Sequence, residues 1–98
     1  MQICKVVGHI WATKKEPALE GQKFMVVQEL DSAGRKKGNV FVAADPVGAG
    51  IGEQVLTVSG STARKMLGGD NIPVDAAIVA IIDTLEVERE KAEGKPEQ

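Results

Sequence analysis

The chain has 98 residues and a mass of 10.4 kDa, which suits one domain and leaves no room for two. Its 12 Lys and Arg against 14 Asp and Glu give a net charge of −2, which argues against a nucleic-acid binder driven by phosphate neutralisation. A single cysteine closes no disulfide within the chain, no His/Cys cluster is present to hold zinc, and the apolar run 76–82 is far too short to span a bilayer. The first residues enter patterned sequence without a signal-peptide stretch, so the expectation is a small, soluble, intracellular domain without disulfides. A domain this size buries only ~60–65% of the surface of its unfolded chain, so its own core is thin.

The aliphatic residues are 12 Val and 7 Ile against 5 Leu, a bias toward Cβ-branched side chains that suit a pleated surface. With Gly and Pro spaced as turns, this predicts a mostly-β chain. A first strand is expected over 2–13. Cys4, Val6, Gly8, Ile10 and Ala12 point one way along it, and Ile3, Lys5, Val7, His9 and Trp11 the other. A polar loop with Pro17 and Gly21 follows, then a second strand over 23–30 and a turn at Asp31–Gly34. A basic tip, Arg35-Lys36-Lys37-Gly38, leads into a third strand over 39–44, which Asp45-Pro46 stops.

The loop 47–53 opens a fourth strand over 54–59. Ser61 is read as the N-cap of a short helix over 62–67 that Gly68-Gly69 ends. After a turn at 70–73, a fifth strand is expected over 74–85, and the charged end reads as a short helix or frayed tail. Five strands and one short helix suggest a small barrel of the OB type.

Two of these strands are apolar on both faces. Phe24, Val26 and Leu30 oppose Met25 and Val27; Val79, Ile81 and Leu85 oppose Ile78 and Ile82. A barrel covers only its inner face and the chain is too short for a second layer, so the outer apolar positions are expected to be buried against other copies of the chain.

Candidate sites are few. Gly48-Ala49-Gly50-Ile51-Gly52 has the spacing G-x-G-x-G and opens a strand, whereas the dinucleotide fingerprint is G-x-G-x-x-G opening a helix. It is read instead as a tight connection in which glycines allow close approach or positive φ. Ser59-Gly60-Ser61 lacks the nucleophile-elbow pattern, and the one histidine, His9, lies on a distant strand at the barrel exterior or an interface. Asp31, Asp45 and Asp70 are expected to bond turn backbone. Asp83 interrupts an apolar strand and is expected to pair with a partner such as Arg64. Nothing here assembles an enzyme. A single-strand-binding OB module is the alternative reading, weakened by three aromatics and a net negative charge.

The string Asp45-Pro46-Val47-Gly48-Ala49-Gly50-Ile51-Gly52-Glu53, followed by Gly60-Ser61-Thr62-Ala63-Arg64, Pro73-Val74-Asp75 and Ile81-Ile82-Asp83, resembles the EutN/CcmL family of bacterial microcompartment vertex proteins. The resemblance covers residues 1–87 as one domain and leaves 88–98 as a charged tail. It implies an OB-like five-stranded barrel that assembles as a homopentamer. Such pentamers sit beside hexameric shell proteins at the vertices of a cytoplasmic shell, with no catalytic residues, cofactor, metal, nucleic acid or membrane involved. On this reading Gly48, Gly50, Gly52, Glu53, Ser61, Arg64 and Asp83 are expected at or near subunit contacts, with Glu53 and Arg64 pairing across or beside the junction.

Overall fold

The computed structural model describes residues 1–12, 17–19, 21–69 and 74–83. Here the Val- and Ile-rich segments become five strands: β1 (Gln2–Ile10), β2 (Phe24–Leu30), β3 (Lys36–Ala44), β4 (Gln54–Ser59) and β5 (Ala76–Ile81). A 3-10 turn, Pro17–Leu19, lies in the first connection, and one helix, α1 (Gly60–Leu67), stands between β4 and β5. The strands close into a barrel in the order β1-β2-β3-β5-β4. Every pairing is antiparallel except β3 with β5, which meet in parallel at Ala44 and Ala77. The fold class expected from the sequence, a mostly-β five-stranded barrel with one short helix, is the one observed.

Alternation places Cys4, Val6, Met25, Val27, Ala43, Val55 and Ile78 inside, with Phe41 and Ile81 packed against them. Fully burying a side chain the size of Val or Ile contributes ~1.5–3 kcal/mol, so this single interior supplies most of the stability available to one chain. Its polar members are satisfied: the Thr57 hydroxyl donates to the Gln2 carbonyl at 3.4 Å and lies 3.6 Å from the Cys4 sulfur. On the outside, α1 lays Ala63 and Leu67 over Val58, Ala77 and Val79, which covers that part of the wall. The small Ala63 lets the helix sit close, and Gly68 ends it, its N–H reaching back to the Lys65 carbonyl.

Several boundaries differ from the sequence-based expectation. β1 ends at Ile10, and β5 runs only over Ala76–Ile81, with Asp83 exposed beyond its end. The ladder continues one residue past β5, where the Ile82 N–H donates to the Gln54 carbonyl at 2.8 Å. The basic tip is largely strand: β3 begins at Lys36, and the turn is Asp31–Gly34, closed by the Asp31 carboxylate on the Ala33 and Arg35 amides. Ser61 is not the N-cap, because α1 starts at Gly60, two residues before the expected 62; Ser59 holds that place with extended backbone and makes no side-chain cap.

Three register shifts explain which side chains changed face. They lie between Val6 and Gly8, between Gln28 and Leu30, and between Leu56 and Thr57. The second turns Leu30 inward with Met25 and Val27; the third brings Ile81 against the same core as Ile78. Leu85, Asp70, the turn at 70–73, Thr13 and the proposed domain boundary with its tail lie outside the described residues.

Burial raises the Cys4 thiol pKa above its ordinary value; the Glu29 charge adds to this and the Thr57 hydrogen bond opposes it. The native barrel is therefore expected to leave Cys4 unmodified by a thiol-specific reagent at neutral pH, with full labelling only once urea unfolds it. Fast labelling of the folded protein would contradict a closed interior at this position.

Candidate functional site

The β3–β4 connection, Asp45–Glu53, is built around one buried carboxylate. Asp45 is 5% exposed. Its Oδ1 accepts the amides of Val47 at 3.1 Å and Gly48 at 2.8 Å, and its Oδ2 that of Ala49 at 2.8 Å. Pro46, between Asp45 and these amides, has no N–H of its own to satisfy. Gly48 and Gly52 take φ of 93° and 95°, values that a residue with a Cβ adopts only with strain. The far end is closed by Glu53, whose Oε1 accepts the Gly50 amide at 2.6 Å. Finally, the Gly52 N–H donates to the Val6 carbonyl at 2.8 Å and the Val6 N–H to the Glu53 carbonyl at 3.0 Å, which ties the loop to β1.

This accounting decides what the loop can do. The amides of Val47, Gly48, Ala49, Gly50 and Gly52 are all bonded within the chain, three of them to Asp45 and one to Glu53. A phosphate-binding loop must aim free amides outward. Here five of the loop's donors are taken and two carboxylates stand behind them, so the loop is a rigid connection that presents Val47 and Ile51 to the outside.

The second motif forms the start of α1. Gly60 donates its N–H to the Asp75 carbonyl at 2.8 Å, fastening the helix to the strand that follows it. Ser61 is exposed and Arg64 half-buried. The seven candidate residues therefore fall into two groups. Gly48, Gly50, Gly52 and Glu53 precede β4, and Asp83 joins them at that end because Ile81 pairs with Val55. Ser61 and Arg64 follow the other end of β4, about 20 Å away by strand rise. Among the described residues Arg64 forms no ion pair, so the expected Asp83–Arg64 bridge is not made within the chain, nor is one between Glu53 and Arg64. Asp83 is solvated rather than buried in an apolar strand.

The basic residues of the β2–β3 hairpin are engaged by acids. Arg35 Nε lies 3.2 Å from Asp31 Oδ2, and Lys37 Nζ 3.6 Å from Glu29 Oε2. The Asp31 carboxyl is held below the ordinary carboxylate range, first by the Arg35 amide and then by the Ala33 amide and the Arg35 side chain. His9 is on the exterior as expected, stacked on Trp11 with ring centroids 5.6 Å apart.

The outer wall of β1–β2–β3 was legible only in part. Gly8 pairs with Val26 and Val26 with Val42, so these three form one row on the outside. Val7, Val40 and Val42 are 44%, 51% and 45% exposed. The alternation in β2 signals Val26 and that in β1 signals Val7; the outward place of Gly8, which alternation puts on the face of Cys4 and Val6, depends on the β1 bulge.

Comparison with known proteins places the chain among shell components. The family described as ethanolamine utilisation protein EutN/carboxysome matches residues 1–83. The carboxysome shell vertex protein CcmL of Synechococcus elongatus is 50% identical over 97 residues, covering 99% of this chain and 98% of the relative. The bacterial microcompartment shell vertex protein PduN of Salmonella typhimurium is 39% identical over 89 residues, 87% of this chain and 98% of that one. Among solved structures, the pentameric microcompartment shell protein GrpN from Rhodospirillum rubrum superposes with a TM-score of 0.80 at 39% identity, covering 89% of this chain and all of that one.

Replacing Asp45 by Ala strands three amides that its carboxylate now satisfies. The expected cost is about 1–3 kcal/mol, carried mainly by the buried Ala49 amide, since a buried donor left unpaired loses its full desolvation energy. Urea unfolding measures it, and an unchanged midpoint would show that the loop does not depend on this carboxylate.

Proposed function

The chain belongs to the EutN/CcmL family, and on that premise we propose that five copies close into a ring that fills a vertex of a bacterial microcompartment shell. The observation that carries this reading is the family match over residues 1–83, joined to a solved relative of the same fold described as a pentameric shell protein. A flat sheet of six-fold tiles cannot curve into a closed polyhedron, and a five-fold unit at each corner supplies the curvature. The partners are accordingly other copies of this chain and hexameric tiles of the same shell, in the cytoplasm. The role is structural: it rests on shape and contact rather than on a catalytic group, and the pairing of Arg35 and Lys37 with acids suits a protein that does not bind nucleic acid.

A cyclic ring repeats one heterologous contact, so each copy must offer two different and complementary surfaces. Charge supports such a contact. Glu53 and Asp83 lie at one end of the β4–β5 pair, while Arg64 and Lys65 follow its other end. Glu53, Asp83, Ser61 and Arg64 thereby belong to the junction between copies, with the loop of Gly48, Gly50 and Gly52 holding Glu53 in place.

Native mass spectrometry tests the ring: the expected species has five times the 10.4 kDa chain mass, and negative-stain images should show five-fold discs. Arg64→Glu should shift the population toward smaller species by placing an acid against acids. A variant that keeps the intact ring at the same concentration would remove Arg64 from the junction.

A further inference from the structure

Of the ten described glycines, eight take positive φ, which accounts for them by backbone conformation alone. Gly8 does not. Neither is it required by crowding: a Cβ built there would lie 3.7 Å from Val26 Cβ and 3.8 Å from Val26 Cγ2, ordinary van der Waals contact. A glycine in the interior of a strand weakens that strand, through backbone entropy and the missing side chain. Within one chain, a residue with a Cβ at this position would strengthen the strand without a clash at that atom. What Gly8 provides is a gap in the outer wall, and it does so in the middle of an apolar surface.

The pairing registers draw that surface. Its central row is Gly8, Val26 and Val42, with Val7 beside it on the bulge. One flanking row carries Ile10 and Phe24; the other carries Lys5, Gln28 and Val40 and marks the polar border. The floor of the gap is therefore backbone, and its rim is valine. α1 covers the opposite wall over Val58 and Ala77.

We infer that this wall is one half of the contact between neighbouring copies in the ring, and that Gly8 is the slot into which the next copy packs. The inference rests on the ring proposed above and names a surface outside the seven motif residues. A second copy is the occupant for two reasons on the molecule itself. The solved relative of the same fold is pentameric, so an apolar wall of this barrel meets another barrel. A cyclic contact is also heterologous, so the slot has to receive a different surface from the one it belongs to; the loop-borne Val47 and Ile51, the latter 60% exposed, stand free for that purpose.

The test compares the full chain with Gly8→Val by native mass spectrometry and sedimentation across a dilution series. Gly8→Val should keep the far-ultraviolet signature of the barrel, while the concentration at which rings half-dissociate rises at least tenfold. A Gly8→Val ring as resistant to dilution as the wild type would overturn the slot and leave the pentamer standing. A wild type that stays monomeric throughout would overturn both. Should Gly8→Val fail to fold, Val42→Lys decides, because its exposed position tolerates a lysine in the single chain. A folded Val42→Lys monomer supports the wall as the contact, and an intact Val42→Lys ring excludes it.

Discussion

A closed barrel of five strands has one interior, and apolar side chains that do not fit inside are left on its wall. In this chain the interior is filled by Cys4, Val6, Met25, Val27, Ala43, Val55 and Ile78, and α1 covers a second patch over Val58 and Ala77. Val7, Val26, Val40 and Val42 remain outside with no layer of the described chain over them. The hydrophobic effect makes such a surface costly in water and favourable at a contact. Barrel closure thus determines both what holds a single copy together and where a single copy is unfinished.

The glycine-rich connection serves that closure. It looks like a ligand loop because it is rich in glycine, yet its amides point inward to Asp45, Glu53 and Val6. The same glycines that would suit phosphate binding here permit a short rigid path from β3 to β4 and fasten it to β1. A carboxylate bonded to three amides is a strong local constraint. It lets a loop with two positive-φ residues hold one shape without help from a larger core.

The sequence made the barrel legible wherever local chemistry sets the outcome. β4 runs over Gln54–Ser59 as its flanking glycines and alternation indicate, and the Asp31 and Asp45 turns form as the short acidic side chains suggest. The family motifs were legible as well, since Gly48–Glu53 and Gly60–Arg64 are specific strings. What was hidden depends on how distant strands meet. Bulges after Val6, Gln28 and Leu56 are properties of a pair of strands, and they moved Leu30 and Ile81 inward against simple alternation. Lys36 and Lys37 read as a solvated tip until pairing with β2 and the Glu29 carboxylate draw them into β3. The separation of Arg64 from Glu53 and Asp83 likewise follows from which ends of β4 and β5 lie side by side.

The central claim is that the β1–β2–β3 wall, left uncovered by the described residues of a single copy, is covered by the neighbouring copy in a five-membered ring. An electron cryomicroscopy map of the assembled wild-type protein tests it directly. The account predicts five-fold symmetry with Val7, Gly8, Val26 and Val42 at the seam between subunits. A ring in which these residues face solvent, with another face of the barrel at the seam, would contradict it.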